Sequence, residues 1–110
     1  MARYYNKLPA LMPVTTIETN VDDYLIHNGF KKKVKKGEEF WQKGNGWVAA
    51  PQYIKVSYAQ TDVTVEAWLR TAFLPGVYGK EMDLDGAMGF AIKAALKKKV
   101  EKIENIIQGK

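Results

Sequence analysis

The strongest constraint on the fold lies between Gln52 and Arg70. Two runs of strict alternation, Gln-Tyr-Ile-Lys-Val-Ser-Tyr and Val-Thr-Val-Glu-Ala-Trp-Leu-Arg, flank the turn residues Ala59 to Asp62. Period-two alternation on both sides of a short polar turn predicts an antiparallel hairpin. Setting Tyr58 opposite Val63 fixes every other pair. Val56 then meets Val65 and Ile54 meets Ala67 on one face, while Ser57 meets Thr64, Lys55 meets Glu66 and Tyr53 meets Trp68 on the other. One face is apolar; the second carries a hydroxyl pair, an ion pair and an aromatic pair, each of a kind that stabilises neighbouring strands.

The rest of the chain is read outward from this hairpin. Residues 1–14 hold Pro9 and Pro13 among Leu8, Leu11, Met12 and Val14, and predict an extended, partly apolar arm that packs along the body or along a second copy. Ile17, Val21, Tyr24 and Leu25 recur at helical spacing after a candidate cap at Thr16, and Gly29 stands where a left-handed terminating residue belongs. This predicts a helix over about 17–28. Residues 30–43 read as a second hairpin, with Lys35-Lys36-Gly37 as a three-residue loop. That register puts Phe30, Val34 and Phe40 on the core face and Lys31, Lys33, Glu39 and Trp41 on the other; a two-residue loop would exchange the faces of the second strand. Asp85 is the candidate cap of the last helix, whose apolar stripe is Ile92, Leu96, Val100, Ile103 and Ile107.

The expected architecture is one α+β domain over 1–110, an arm (1–14) followed by a body (15–110). The body is a two-layer sandwich of helix, four-stranded antiparallel meander and long C-terminal helix, with both helices on one face of the sheet. A hydrophobic share of 46% is enough for a single core at 110 residues. Apolar stretches such as Trp47 to Pro51 are too short to span a bilayer, and the first residues lack the apolar core of a secretory signal. A cytoplasmic location is the expectation by elimination.

Catalytic equipment is sparse. The chain has no cysteine, which removes disulfides, thiolate nucleophiles and cysteine-based zinc sites. With a single histidine, His27, and a single serine, Ser57, a nucleophile–base–orienter triad is hard to build. Glu81-x-Asp83-x-Asp85-Gly86 resembles the start of a calcium loop, but the position that should carry the closing bidentate glutamate is Ile92. Gly44-x-Gly46 and Gly76-x-x-Gly79-Lys80 continue as neither a Walker nor a dinucleotide fingerprint and read as turns. An enzyme built on Lys80, Glu81, Asp83 and Asp85 is the third and weakest class. No catalytic residue, metal or cofactor is assigned.

Two blocks of lysine remain. Lys93, Lys97, Lys98, Lys99 and Lys102 are placed on the solvent side of the last helix. Lys31, Lys32, Lys33, Lys35 and Lys36 crowd the outer hairpin, where lysine also guards an edge strand against aggregation. The candidate binding surface is the open sheet face and adjacent loops, with Trp41, Trp47, Tyr53, Lys55, Trp68, Arg70 and Tyr78, and the candidate basic edge is Lys31, Lys33 and Lys35. Rings interleaved with cations suit single-stranded nucleic acid. A protein partner, self-association or cover by the arm or by the 71–85 loop explains three large aromatics more simply, because they rarely stay bare on a monomer. The function expected is a non-enzymatic protein-interaction module; the alternative is single-stranded nucleic-acid binding through the basic, aromatic face.

The stretch 44–90 carries a resemblance. Gly-Asn-Gly-Trp-Val-Ala-Ala-Pro-Gln-Tyr-Ile-Lys-Val, Val-Glu-Ala-Trp-Leu and Leu-Pro-Gly-Val-Tyr-Gly-Lys-Glu-Met-Asp-Leu-Asp-Gly resemble an uncharacterised domain of Firmicutes-type bacteria, with the likeness running from Val21 into the final helix. Some members of that family are similar to fusions with a zinc ribbon; without cysteine, zinc is not carried over. The resemblance implies a kind of module and no activity, with Ala-Pro-Gln-Tyr and Leu-Pro-Gly-Val-Tyr as pointers to a working surface.

Overall fold

The computed structural model describes residues 3–44, 51–74, 77–82 and 90–110, of which 71–74, 77–82 and 90–92 are described by their backbone. In chain order the elements are β1 (Tyr4–Pro9), α1 (Val14–His27), β2 (Lys31–Lys35), β3 (Glu38–Lys43), β4 (Gln52–Tyr58), β5 (Asp62–Leu74), β6 (Val77–Met82) and α2 (Phe90–Ile107). The fold is α+β, with one antiparallel sheet and two helices.

The sheet runs in the order β1-β5-β4-β3-β2, with β6 also paired to β5. Leu69 faces Gln52 of β4 on one side and Met82 of β6 on the other, so β6 must lie on the same edge of β5 as β1. Six strands therefore fill five positions, β1 and β6 sharing one edge along the long β5. The expected four-stranded meander is present as β2 to β5; the two additional strands correct it. One of them is the expected arm. Its prolines forbid a helix, but an edge strand tolerates them, and Pro9 sits at the last rung opposite Asp62.

The β4–β5 hairpin has the expected register throughout, from Tyr58↔Val63 to Tyr53↔Trp68. Its apolar side enters the main core. Ile54, Val63, Val65, Ala67 and Leu69 of the sheet form one buried cluster with Ile17, Val21 and Leu25 of α1 and Leu96, Val100, Ile103 and Ile107 of α2. Full burial of each such aliphatic side chain contributes about 1.5–3 kcal/mol. The α2 stripe also takes in Lys93, only 5% exposed, which corrects its expected place on the solvent side. The position lies three residues before Leu96, in line with the buried face. Tyr4 and Asn6 of β1 both donate to the Glu104 carboxylate, the latter at 2.8 Å, and tie α2 to the edge strand.

α1 starts three residues earlier than expected, at Val14, with Pro13 rather than Thr16 at the cap position. Pro13 precedes its first turn, and the Thr16 and Ile17 amides donate to the Pro13 carbonyl. Its end follows the sequence. Gly29 has φ +83°, the Phe30 amide donates to the Leu25 carbonyl and the Gly29 amide to the Ile26 carbonyl. These two bonds make a Schellman motif, and Phe30 folds back into the core.

The β2–β3 hairpin differs from expectation. Lys35 pairs with Glu38, leaving a two-residue loop of Lys36 and Gly37 with φ of +53° and +77°. Two left-handed residues make the type I′ turn whose twist suits a tight hairpin. The faces of β3 are thereby exchanged. Trp41 opposes Ile54 and joins the main core, while Phe40 turns to the open face. The expected core placement of Phe40 and open-face placement of Trp41 are both overturned by this single-residue slip.

Candidate functional site

On the open face, the β4–β5 register brings Tyr53 and Trp68 side by side, and their rings stack with centroids 5.3 Å apart and planes 4° from parallel. Phe40, delivered by the β3 slip, meets both edge-on at 5.6 and 6.0 Å. Offset stacking and T-shaped contacts are the favoured geometries for quadrupolar rings. These three form a cluster separate from the main core. They are sealed: Tyr53 is 4% and Trp68 2% exposed.

Part of the seal is Arg3, just ahead of β1. Its guanidinium lies 3.6 Å from the Trp68 ring centroid. Its two terminal nitrogens fork onto the Glu38 carboxylate at 2.9 and 3.1 Å, and Nη1 also reaches Glu66 at 3.4 Å. Lys55 Nζ donates to the same Glu38 at 3.0 Å. Forked guanidinium–carboxylate pairs are among the strong hydrogen bonds. The Arg3 bonds, opposed by burial and aided by Lys55, hold the Glu38 carboxyl down from 4.5 to about 2. Glu38 thus accepts three charge-assisted hydrogen bonds from two cations. Trp68 Nε1 is buried without a hydrogen-bond partner.

Beside this clasp is a pocket of about 240 Å³. Phe40, Tyr53 and Trp68 contribute apolar surface, and Arg3, Lys35, Lys36 and Arg70 contribute cations. Among the described residues of the lining Glu38 is the carboxylate, held by Arg3 and Lys55, and Lys35 and Lys36 are exposed cations beside it. Lys31 and Lys33 continue the charge along the same face of β2, where every residue is exposed. The arrangement suits anion recognition with an apolar contact at one end.

The structure brings together Tyr53, Lys55, Trp68 and Arg70 of the expected surface, with Arg70 5.7 Å from the Tyr53 ring. Tyr53 and Trp68 face as expected but are covered rather than displayed. Trp41 does not belong to this face; Lys32 stands 5.0 Å over its ring on the helix side and pairs with Glu39 at 3.6 Å. Trp47 lies outside the described residues, and Tyr78 is placed by its backbone in β6, opposite Ala72. Lys31, Lys33 and Lys35 lie on one side of β2. Sequence reasoning missed Arg3, Glu38 and Phe40. Nothing in the spacing of Arg3 marks it; Lys36-Gly37 read as a two-residue turn would have found the other two.

Other groups are less organised. His27 is exposed on α1 and its Nδ1 donates to the Asp23 carbonyl at 2.7 Å. A smaller hollow of about 60 Å³ on the helix side is lined by Glu18, Asp22, Glu39 and Tyr58 among others. Burial, then Asp22 and Glu18, push the Tyr58 hydroxyl up, and burial raises Asp22. Among the described residues no three His, Asp or Glu side chains gather as a metal cluster. Asp83 and Asp85 lie outside them. Nor is any helix among them long and apolar enough to cross a membrane. No family model, curated protein or solved structure matches the chain.

Proposed function

We propose that this chain is a non-enzymatic, cytoplasmic interaction module, of the kind its 44–90 stretch resembles, and that it takes an acidic protein partner on the open side of the β2–β3 hairpin. The observation that carries the reading is the one-sided charge around the open-face pocket. Lys31, Lys33, Lys35 and Lys36 are exposed, and the carboxylate among them is consumed by Arg3 and Lys55. An acidic partner meets uncompensated cations there, with the pocket beside Phe40 as an anchor point. Nucleic acid is the weaker reading, because Tyr53 and Trp68 are too enclosed to stack on bases.

The test is a titration of a labelled, glutamate-rich peptide in competition with a mixed single-stranded oligonucleotide. Peptide affinity is expected to fall by about tenfold between low and physiological salt, and to be lost in the double variant Lys33→Glu, Lys35→Glu. An oligonucleotide that displaces the peptide and binds more tightly would transfer the assignment to nucleic acid. Binding to neither refutes the surface.

A further inference from the structure

We infer that the free edge of β2 receives an extended acidic segment as an added strand, with acidic side chains at alternate positions; the inference rests on the acidic-partner reading above. β2 ends the sheet order, and all five of its residues are exposed. An edge strand with unbonded amides and carbonyls is a template for strand addition.

The two-residue turn settles which groups are offered. Residues flanking such a loop exchange both backbone bonds, and bonded and non-bonded pairs then alternate along the ladder. Lys35↔Glu38, Lys33↔Phe40 and Lys31↔Gln42 are the bonded pairs of this register. The amide and carbonyl groups of Lys32 and Val34 therefore point away from β3, at the open edge. An incoming strand finds two residues of donors and acceptors there, in phase.

Side-chain alternation adds selectivity. Lys31, Lys33 and Lys35 project on the open face, about 6.7 Å apart from one to the next. Strand residues opposite those three share their face, so carboxylates at alternate positions meet a lysine each. Between them the partner meets Lys32, already paired with Glu39, and Val34, which is 68% exposed. A β-branched residue opposite Val34 covers that apolar surface. The recognised pattern is acid–polar–acid–valine-like–acid, read in either chain direction. β2 of a second copy is disfavoured at this edge by the same logic, since it would set lysine against lysine.

The experiment compares peptides with a Glu-Thr-Glu-Val-Glu core, the same composition with its glutamates contiguous, and the first core N-methylated at every second residue. Binding is read by anisotropy, and amide exchange of the full chain by NMR. The alternating peptide is expected to bind at least about tenfold more tightly than the N-methylated one, a gap that two or three backbone bonds supply. The Lys32 and Val34 amides gain protection, while those of Lys33 and Lys35, already bonded to β3, change little. Equal, salt-sensitive binding of all three peptides with no new protection at Lys32 and Val34 overturns strand addition and leaves the acidic-partner reading standing. Failure of every peptide to bind overturns both.

Discussion

Replacing Arg3 with alanine is the most informative perturbation, because this one side chain joins Trp68, Glu38 and Glu66 across the open face. Its loss removes a forked ion pair to Glu38, a contact to Glu66 and a cation stacked on Trp68. The depression of Glu38 from 4.5 to about 2 sets a ceiling of roughly 3 kcal/mol on what its cations contribute. The Glu38 side chain is 31% exposed, so water screens the pair and about 1.5 kcal/mol is the realistic share. Stacking on a desolvated indole adds about 1 kcal/mol. Arg3→Ala is therefore expected to cost about 2–3 kcal/mol, or a melting temperature lower by about 10 °C. The pair term is isolated by a double-mutant cycle with Glu38→Gln in urea unfolding. Since the folded carboxyl titrates below its ordinary value, the contribution is complete above about pH 4.5 and disappears as pH falls towards about 2. A coupling under about 0.3 kcal/mol at neutral pH, or one that is unchanged when Glu38 is protonated, refutes the clasp.

Three other outcomes follow from local geometry. Lys36→Asn places a residue that favours positive φ at +53° and is expected to stabilise the hairpin by about 0.5 kcal/mol in thermal melts, whereas Gly37→Ala at +77° costs about 1 kcal/mol despite open space around the new methyl. Leu25→Ala, at a fully buried position in the α1 face, is expected to cost 2–5 kcal/mol in denaturant titration. Burial and then the Glu104 carboxylate push the Tyr4 hydroxyl up to about 12, so stability held below pH 10 is lost as the pH rises towards that value. An alkaline spectrophotometric titration should show Tyr4 ionising well above the ordinary tyrosine value.

What was legible in the sequence tracks how sharply neighbouring residues differ. Along β4 and β5 apolar and polar positions alternate, so one register satisfies both faces and Tyr53↔Trp68 follows. β3 reads Glu-Glu-Phe-Trp-Gln-Lys, three pairs of like character, and a shift by one residue leaves its pattern unchanged. Loop length then decides the face, and Lys-Gly lacks the asparagine that usually announces a type I′ turn. That the arm is a strand of the sheet was hidden for another reason. Proline marks what a segment is not, and an edge strand that needs bonds on one side only absorbs it. Arg3 depends on that strand's position, so its contact with Trp68 was beyond any local reading.

The β3 slip also explains why the charge sits where it does. With Phe40 on the open face, three rings cover one another and leave little apolar surface for a partner to claim. With Glu38 on that same face, Arg3 and Lys55 have their carboxylate. Glu38 stands directly opposite Lys35, but Arg3 and Lys55 engage it, so the lysines of β2 are left facing solvent. Had β3 kept the other register, Glu39 would have stood on the lysine side and Trp41 would have been exposed beside it, a surface better suited to stacking than to ion pairing. The choice of a two-residue turn thus takes Trp41 off the open face and leaves the β2 lysines as its exposed feature, and it is at that edge that recognition by charge and by backbone pairing coincide.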